Sequence, residues 1–76
     1  MDTVNNLYRV ELFQDGTTNR YMVAARERRF VLAILDAWLS DQHISFPEDA
    51  PVHLYYEGVC YRADGVVASR TLEERY

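Results

Sequence analysis

Lysine is missing altogether. All eight basic residues of this 76-residue sequence are arginine, against twelve acids, for a formal net charge of −4. Cysteine occurs once, at Cys60, which excludes a disulfide within the chain; a lone thiol fits a reducing cytoplasm. A structural zinc site takes about four Cys or His ligands. Only Cys60, His43 and His53 are on offer, and none stands in a CxxC or HxxxH pair. The longest apolar run, Phe30–Leu35, has six residues, far short of the ~18 that a membrane helix needs. The polar start, Met1-Asp2-Thr3-Val4-Asn5-Asn6, lacks the basic region of a secretory leader, so a cytoplasmic location is expected. No GxGxxG, P-loop, HExxH or EF-hand pattern occurs, so neither a metal nor any other cofactor is expected. Internal repeats and low-complexity segments are absent as well.

Apolar residues make up 49% of the chain, which excludes a disordered acidic tail. The length allows one domain over residues 1–76. A chain this short buries only about 60% of the surface its unfolded form exposes, and such a core leaves about 3–5 kcal/mol of net stability. With disulfide and zinc excluded, self-association or partner binding is the expected additional support.

Leu7–Phe13 alternates, with Tyr8, Val10 and Leu12 on one face and Arg9 and Glu11 on the other, the period of a half-buried strand. The polar stretch Gln14–Asn19 surrounds Asp15-Gly16, a reverse-turn signal, and Arg20–Ala24 follows as a second strand, which completes a hairpin. From Ala25 to Gln42 the period becomes helical. Phe30, Val31, Leu32, Ile34, Leu35, Ala37, Trp38 and Leu39 fall on an arc of roughly 220°, twice the width a surface helix needs. Either loops wrap the excess or the helix offers a second contact surface, with Leu32, Leu39 and Trp38 as the self-association candidates. His43–Pro51 is a long connection with two prolines, and Ile44 and Phe46 are expected to fold back onto the core.

Val52–Tyr56 reads as a third strand. Beyond it, Glu57-Gly58 and Asp64-Gly65 each suit a two-residue turn, which gives a meander through Val59–Ala63 and Val66–Ala68. The alternative is one strand bulged at Gly58 and paired through the Asp64-Gly65 turn. Thr71-Leu72-Glu73-Glu74 has capping-box spacing for a short terminal helix. The sum is an α+β, two-layer ββαββ(β) fold, an antiparallel sheet with one helix on one face.

Little here points to catalysis. Cys60 on a strand reads as a small core residue, although His53, on a neighbouring expected strand, would be the base for a thiol nucleophile. The adjacent acids Glu48-Asp49 and Glu73-Glu74 do not converge on one substrate. Arg26, Arg28 and Arg29, with Arg20 nearby, form the one basic cluster, but Glu27 interrupts it, and the acidic balance argues against direct nucleic-acid binding. Six tyrosines are more suggestive, because tyrosine and arginine are enriched at protein interfaces. Tyr55 and Tyr56 are adjacent on a strand, so one of them faces away from the helix, as Arg9, Glu11 and Arg62 are expected to do.

Three features span most of the chain: Tyr8-Arg9-Val10-Glu11-Leu12 leading to Asp15-Gly16, the helix from Arg26, and Leu54-Tyr55-Tyr56. With the acidic, lysine-free composition they resemble the small proteins encoded by phages and other mobile elements of GC-rich bacteria. Among these the chain is similar to anti-CRISPR proteins. The resemblance implies an inhibitor that occupies a binding surface, often one meant for nucleic acid. The expectation is a non-enzymatic, protein-binding inhibitor of a larger host protein or ribonucleoprotein complex with a basic surface. Tyr55 or Tyr56 would anchor it, and Glu11, Glu57, Glu48 and Asp49 would pair with the partner's cations. The second expectation is a homodimeric structural or regulatory protein associating through the helix.

Overall fold

The computed structural model describes residues 4–73. Strand β1 (Asn5–Gln14) turns at Asp15-Gly16 into β2 (Thr17–Ala25). Both turn residues have positive φ, 48° and 76°, the backbone of a type I′ turn, whose twist matches that of the flanking strands. Pairing runs unbroken from Gln14↔Thr17 to Asn6↔Ala25, so the polar Thr17–Asn19 stretch, expected as loop, belongs to β2.

A 3₁₀ turn (Arg28–Phe30) precedes helix α1 (Val31–Asp41), which therefore begins six residues later than its periodicity suggested. Glu27 is extended, at φ −139° and ψ 155°, and its carboxylate accepts a hydrogen bond from Arg29 Nε at 2.6 Å. α1 ends with His43 at φ 58°. Ile44 N–H bonds to the Leu39 carbonyl at 2.9 Å and His43 N–H to that of Ser40 at 3.1 Å, the two bonds of a Schellman cap. Val31, Leu35 and Leu39 point into the core with Tyr8, Val10 and Leu12 of β1 and Tyr21, Val23 and Ala25 of β2. Phe46 packs against this cluster as expected, whereas Ile44 is 40% exposed.

The chain then crosses β1 to reach β3 (Val52–Cys60), and returns as β4 (Gly65–Glu73). The sheet order is β3-β1-β2-β4, with every neighbouring pair antiparallel. This is the expected α+β class. Of the two readings at Glu57-Gly58 the bulged strand is the one observed, with the register shifting between Leu7 and Tyr8 and Gly58 at φ 135°, but two local expectations give way. β3 and β4 are not paired with each other; they form opposite edges of the sheet. Residues 71–73 continue β4 instead of starting a helix, with Thr71 donating to Asn19 Oδ1 at 3.0 Å, and Glu74 lies outside the described residues.

Opposite edges lie three strand spacings of ~4.8 Å apart, about 14 Å. Five Cα steps from Cys60 to Gly65 reach about 17 Å, so the Tyr61–Asp64 link is just long enough to pass under the sheet. Asn5, the one buried polar residue described, pins it: Nδ2 donates to the Arg62 carbonyl at 2.7 Å.

Candidate binding surface

Register assigns every strand side chain to a face. Paired residues share a face in an antiparallel ladder. Tyr8, Val10, Leu12, Tyr21, Val23, Val52, Leu54, Tyr56 and Val66 thus lie on the helix side. Arg9, Glu11, Phe13, Arg20, Met22, His53, Tyr55 and Arg70 lie on the open side.

The open side is tied together by charge and aromatic contacts. Arg9 stacks its guanidinium over the Tyr55 ring, 4.4 Å from the centroid. Its Nε lies 3.3 Å from Glu57 Oε1, off the hydrogen-bonding direction, so that contact is coulombic. The Tyr55 hydroxyl meets His53 Nδ1 at 3.1 Å, and the His53 ring meets Phe13 edge-on at 5.0 Å. One strand over, Arg20 clasps Glu11 through Nε and an amino group, each at 3.0 Å. Directly opposite Arg20 on β4 stands Arg70.

The six sequence-derived partner-binding candidates fall in three places. Tyr55, Glu11 and Glu57 share the open face, but both acids there already hold arginines of their own chain. Tyr56 points to the helix side, edge-on to Tyr8 at 5.7 Å and 60% exposed. Glu48 and Asp49 sit at the apex of a turn closed by Ala50 N–H on the Pro47 carbonyl at 3.0 Å, and both are exposed. Phe13 N–H on the Pro51 carbonyl, 3.1 Å, fixes that turn beside the β1–β2 turn and its Asp15. Asp41 closes α1 at the same end. From Phe30 to Tyr61 the chain has five acids and no arginine or lysine, whereas Arg26, Arg28 and Arg29 gather just before α1, with Arg28 and Arg29 lining a shallow cavity with Leu32, Val52 and Leu54.

Of the self-association candidates, Leu39 is a core residue and Trp38 is half-buried, edge-on to Tyr21 at 5.8 Å. Only Leu32 is exposed, at 46%. Arg62, expected on the open face, is in the crossing link. Cys60 and His53 share a single strand seven residues apart, about 23 Å at strand rise, so they make no thiol–imidazole pair. No group of three His, Cys, Asp or Glu among the described residues is placed to hold a metal ion. No helix among them is long and apolar enough to cross a membrane.

Sequence reasoning missed the Arg9–Tyr55–His53–Phe13 run, because it is made by the β1–β3 register. Alternation alone put Arg9 outward but did not say which aromatic would lie beside it. Burial pushes the Tyr21 hydroxyl pKa up. The chain matches no family model, no curated protein and no solved structure.

Proposed function

We propose that the chain is a non-enzymatic binding protein that inhibits a larger nucleic-acid-handling protein by covering one of its basic surfaces. The observation that carries this reading is the charge partition. Glu48 and Asp49 at a turn apex, with Asp15 and Asp41 at the same end, have no cation within ion-pair distance among the described residues. Glu11 and Glu57, by contrast, spend their charge on Arg20 and Arg9. The acidic end is thus the part able to complement a partner's arginines and lysines, and such complementarity acts mainly on encounter rate and specificity. The neighbouring open face supplies the apolar part of the contact, with Tyr55 held rigid by Arg9 and His53. The resemblance to anti-CRISPR proteins supplies the target class, a nucleoprotein complex whose basic groove binds nucleic acid.

Charge reversal at the turn is the test. An immobilised chain exposed to bacterial lysate is expected to retain basic nucleic-acid-handling proteins that elute with salt, and Glu48→Arg with Asp49→Arg is expected to abolish their retention. The paired variant Glu11→Gln with Glu57→Gln is expected to retain them. Equal retention by the charge-reversed chain and the native one overturns the proposal.

A further inference from the structure

The two edges of the sheet are guarded differently. Natural proteins blunt exposed edges with charges, prolines and bulges. β4 carries a bulge opposite Met22-Val23 and Arg70 in its middle. On β3 the guards stand at the ends: Pro51 precedes the strand and the Glu57-Gly58 bulge interrupts it. Between them lies Val52-His53-Leu54-Tyr55-Tyr56, five residues with no Asp, Glu, Lys or Arg.

Hydrogen-bond direction within this window follows from one contact. Phe13 N–H bonds to the Pro51 carbonyl, so residues 51, 53 and 55 aim their backbone groups at β1, and Val52, Leu54 and Tyr56 aim theirs at the free edge. The same three residues carry side chains on the helix side. α1 packs over β2 and β4, which leaves Val52 43% and Tyr56 60% exposed and Leu54 half-buried. Backbone groups and apolar side chains are therefore left open together, at the same three residues.

We infer that this window pairs with the window of a second copy, antiparallel, about a twofold axis through Leu54. Leu54 then forms a hydrogen-bonded pair with the partner's Leu54, and Val52 and Tyr56 form hydrogen-bonded pairs with the partner's Tyr56 and Val52. A window of odd length with outward groups on its first, central and last residues is self-complementary in this register and in no neighbouring one. A one-residue slip places the partner's inward groups against the edge. On the helix side each valine meets a tyrosine and the two leucines meet each other, and on the open side each His53 stands beside the partner's Tyr55. The window itself carries no carboxylate or guanidinium, Glu57, just beyond, is held by Arg9, and Arg28 and Arg29 reach the helix side of Val52 and Leu54 from the 3₁₀ turn. The two sheets become one of eight strands, with both helices on one face and both open faces free. Self-pairing stands independently of the occlusion reading, because the acidic turns stay uncovered. A five-residue strip covers less area than the ~800 Å² per partner of a standard stable interface, so the dimer is a weak one.

The test is a pair of complementary charge variants. Light scattering after size exclusion is expected to give a mass rising from one copy toward two between about 1 and 500 μM for the native chain. Val52→Lys with Tyr56→Lys, and separately Val52→Glu with Tyr56→Glu, are expected to stay monomeric throughout, with native circular dichroism because both positions are exposed. An equimolar mixture of the two variants is expected to recover the dimer, because the register sets lysine opposite glutamate. A native chain that is monomeric at 500 μM overturns the inference. So does a dimer that survives in either variant alone, or a mixture that fails to associate. If a variant loses its native spectrum, Tyr56→Pro replaces it. That change removes an outward N–H needed only by the dimer, and a dimer that persists in it overturns the inference.

Discussion

Asn5→Ala should cost this fold far more than the same change one residue later, and the difference measures the crossing link. Asn5 is 6% exposed and donates at 2.7 Å to the Arg62 carbonyl, across 57 positions of sequence. Asn6 makes a chemically identical bond, Nδ2 to the Arg26 carbonyl at 2.9 Å, in an exposed setting. Removing the Asn5 amide deletes a hydrogen bond with a net contribution of about 1 kcal/mol and leaves the space of a nearly buried side chain unfilled, at a further cost of about 1 kcal/mol. The expected loss is about 2 kcal/mol. The Asn6 bond is exposed and its carbonyl partner finds water, so Asn6→Ala should cost about 0.5 kcal/mol. For a domain of this size each kcal/mol moves the melting point by about 4–8 °C. Thermal unfolding followed by circular dichroism should therefore fall by about 8–16 °C for Asn5→Ala and by about 2–4 °C for Asn6→Ala. Asn5→Asp adds a sign. The buried carboxyl can donate to the carbonyl only when protonated, so its folded pKa is raised, and its contribution is present at acid pH and lost as pH rises through that value. Equal losses for the two alanine variants would refute the reasoning, because burial of the Asn5 side chain would then count for nothing.

Three further outcomes follow from single residues. His43→Gly should raise stability by about 0.5–1 kcal/mol in urea denaturation, because the Schellman position holds a non-glycine residue at φ 58°; His43→Val at the same position should lower it. Leu35→Ala, at 2% exposure in the middle of the core, should cost about 3 kcal/mol or more, while Leu32→Ala, 46% exposed one turn earlier on the same helix, should fall within about 0.5 kcal/mol of the native chain. Tyr21→Phe should flatten the alkaline limb of the stability curve. Burial raises the Tyr21 pKa above its ordinary 10.0, so its contribution is whole below pH 10 and lost as pH climbs through the folded value; an unchanged alkaline unfolding midpoint would count against this.

The fold class was legible because its signals are local. Alternation at Tyr8, Val10 and Leu12, the Asp15-Gly16 turn and the apolar periodicity from Val31 each depend on a few neighbouring residues. What failed was long-range or competitive. The helical period extends back to Ala25, but Arg26 and Glu27 sit where β2 must first clear the sheet edge, so the backbone stays extended and the helix starts at Val31. Thr71-Leu72-Glu73 carries a helix-start spacing, yet the ladder to Thr17, Thr18 and Asn19 outweighs a one-turn helix with nothing to pack on. The candidate surface was readable by residue type and unreadable by grouping. Glu11 and Arg9 come beside Tyr55 and Glu57 only through the β1–β3 register, and the two ion pairs that use up the acids, Arg9–Glu57 across β1–β3 and Arg20–Glu11 across β1–β2, are invisible until both registers are known.

The least legible choice has the largest consequence. Asp64-Gly65 has the composition of a hairpin turn, and a β3–β4 hairpin would have laid β4 along β3, covering the backbone groups of Val52, Leu54 and Tyr56. The chain instead spends Tyr61–Asp64 on a passage to the far side of β2, where Val66 packs against the core beside Val23. Burial decides between the two arrangements. Placing β4 beside β2 brings it under α1, where Val66 is shielded by the helix, while a strand beyond β3 would lie outside the helix's reach with its apolar residues in water. The link is held by Asn5, and the outer edge of β3 stays free as a result. The same packing preference that builds the core thus leaves open the one uncharged edge this fold has for a second chain.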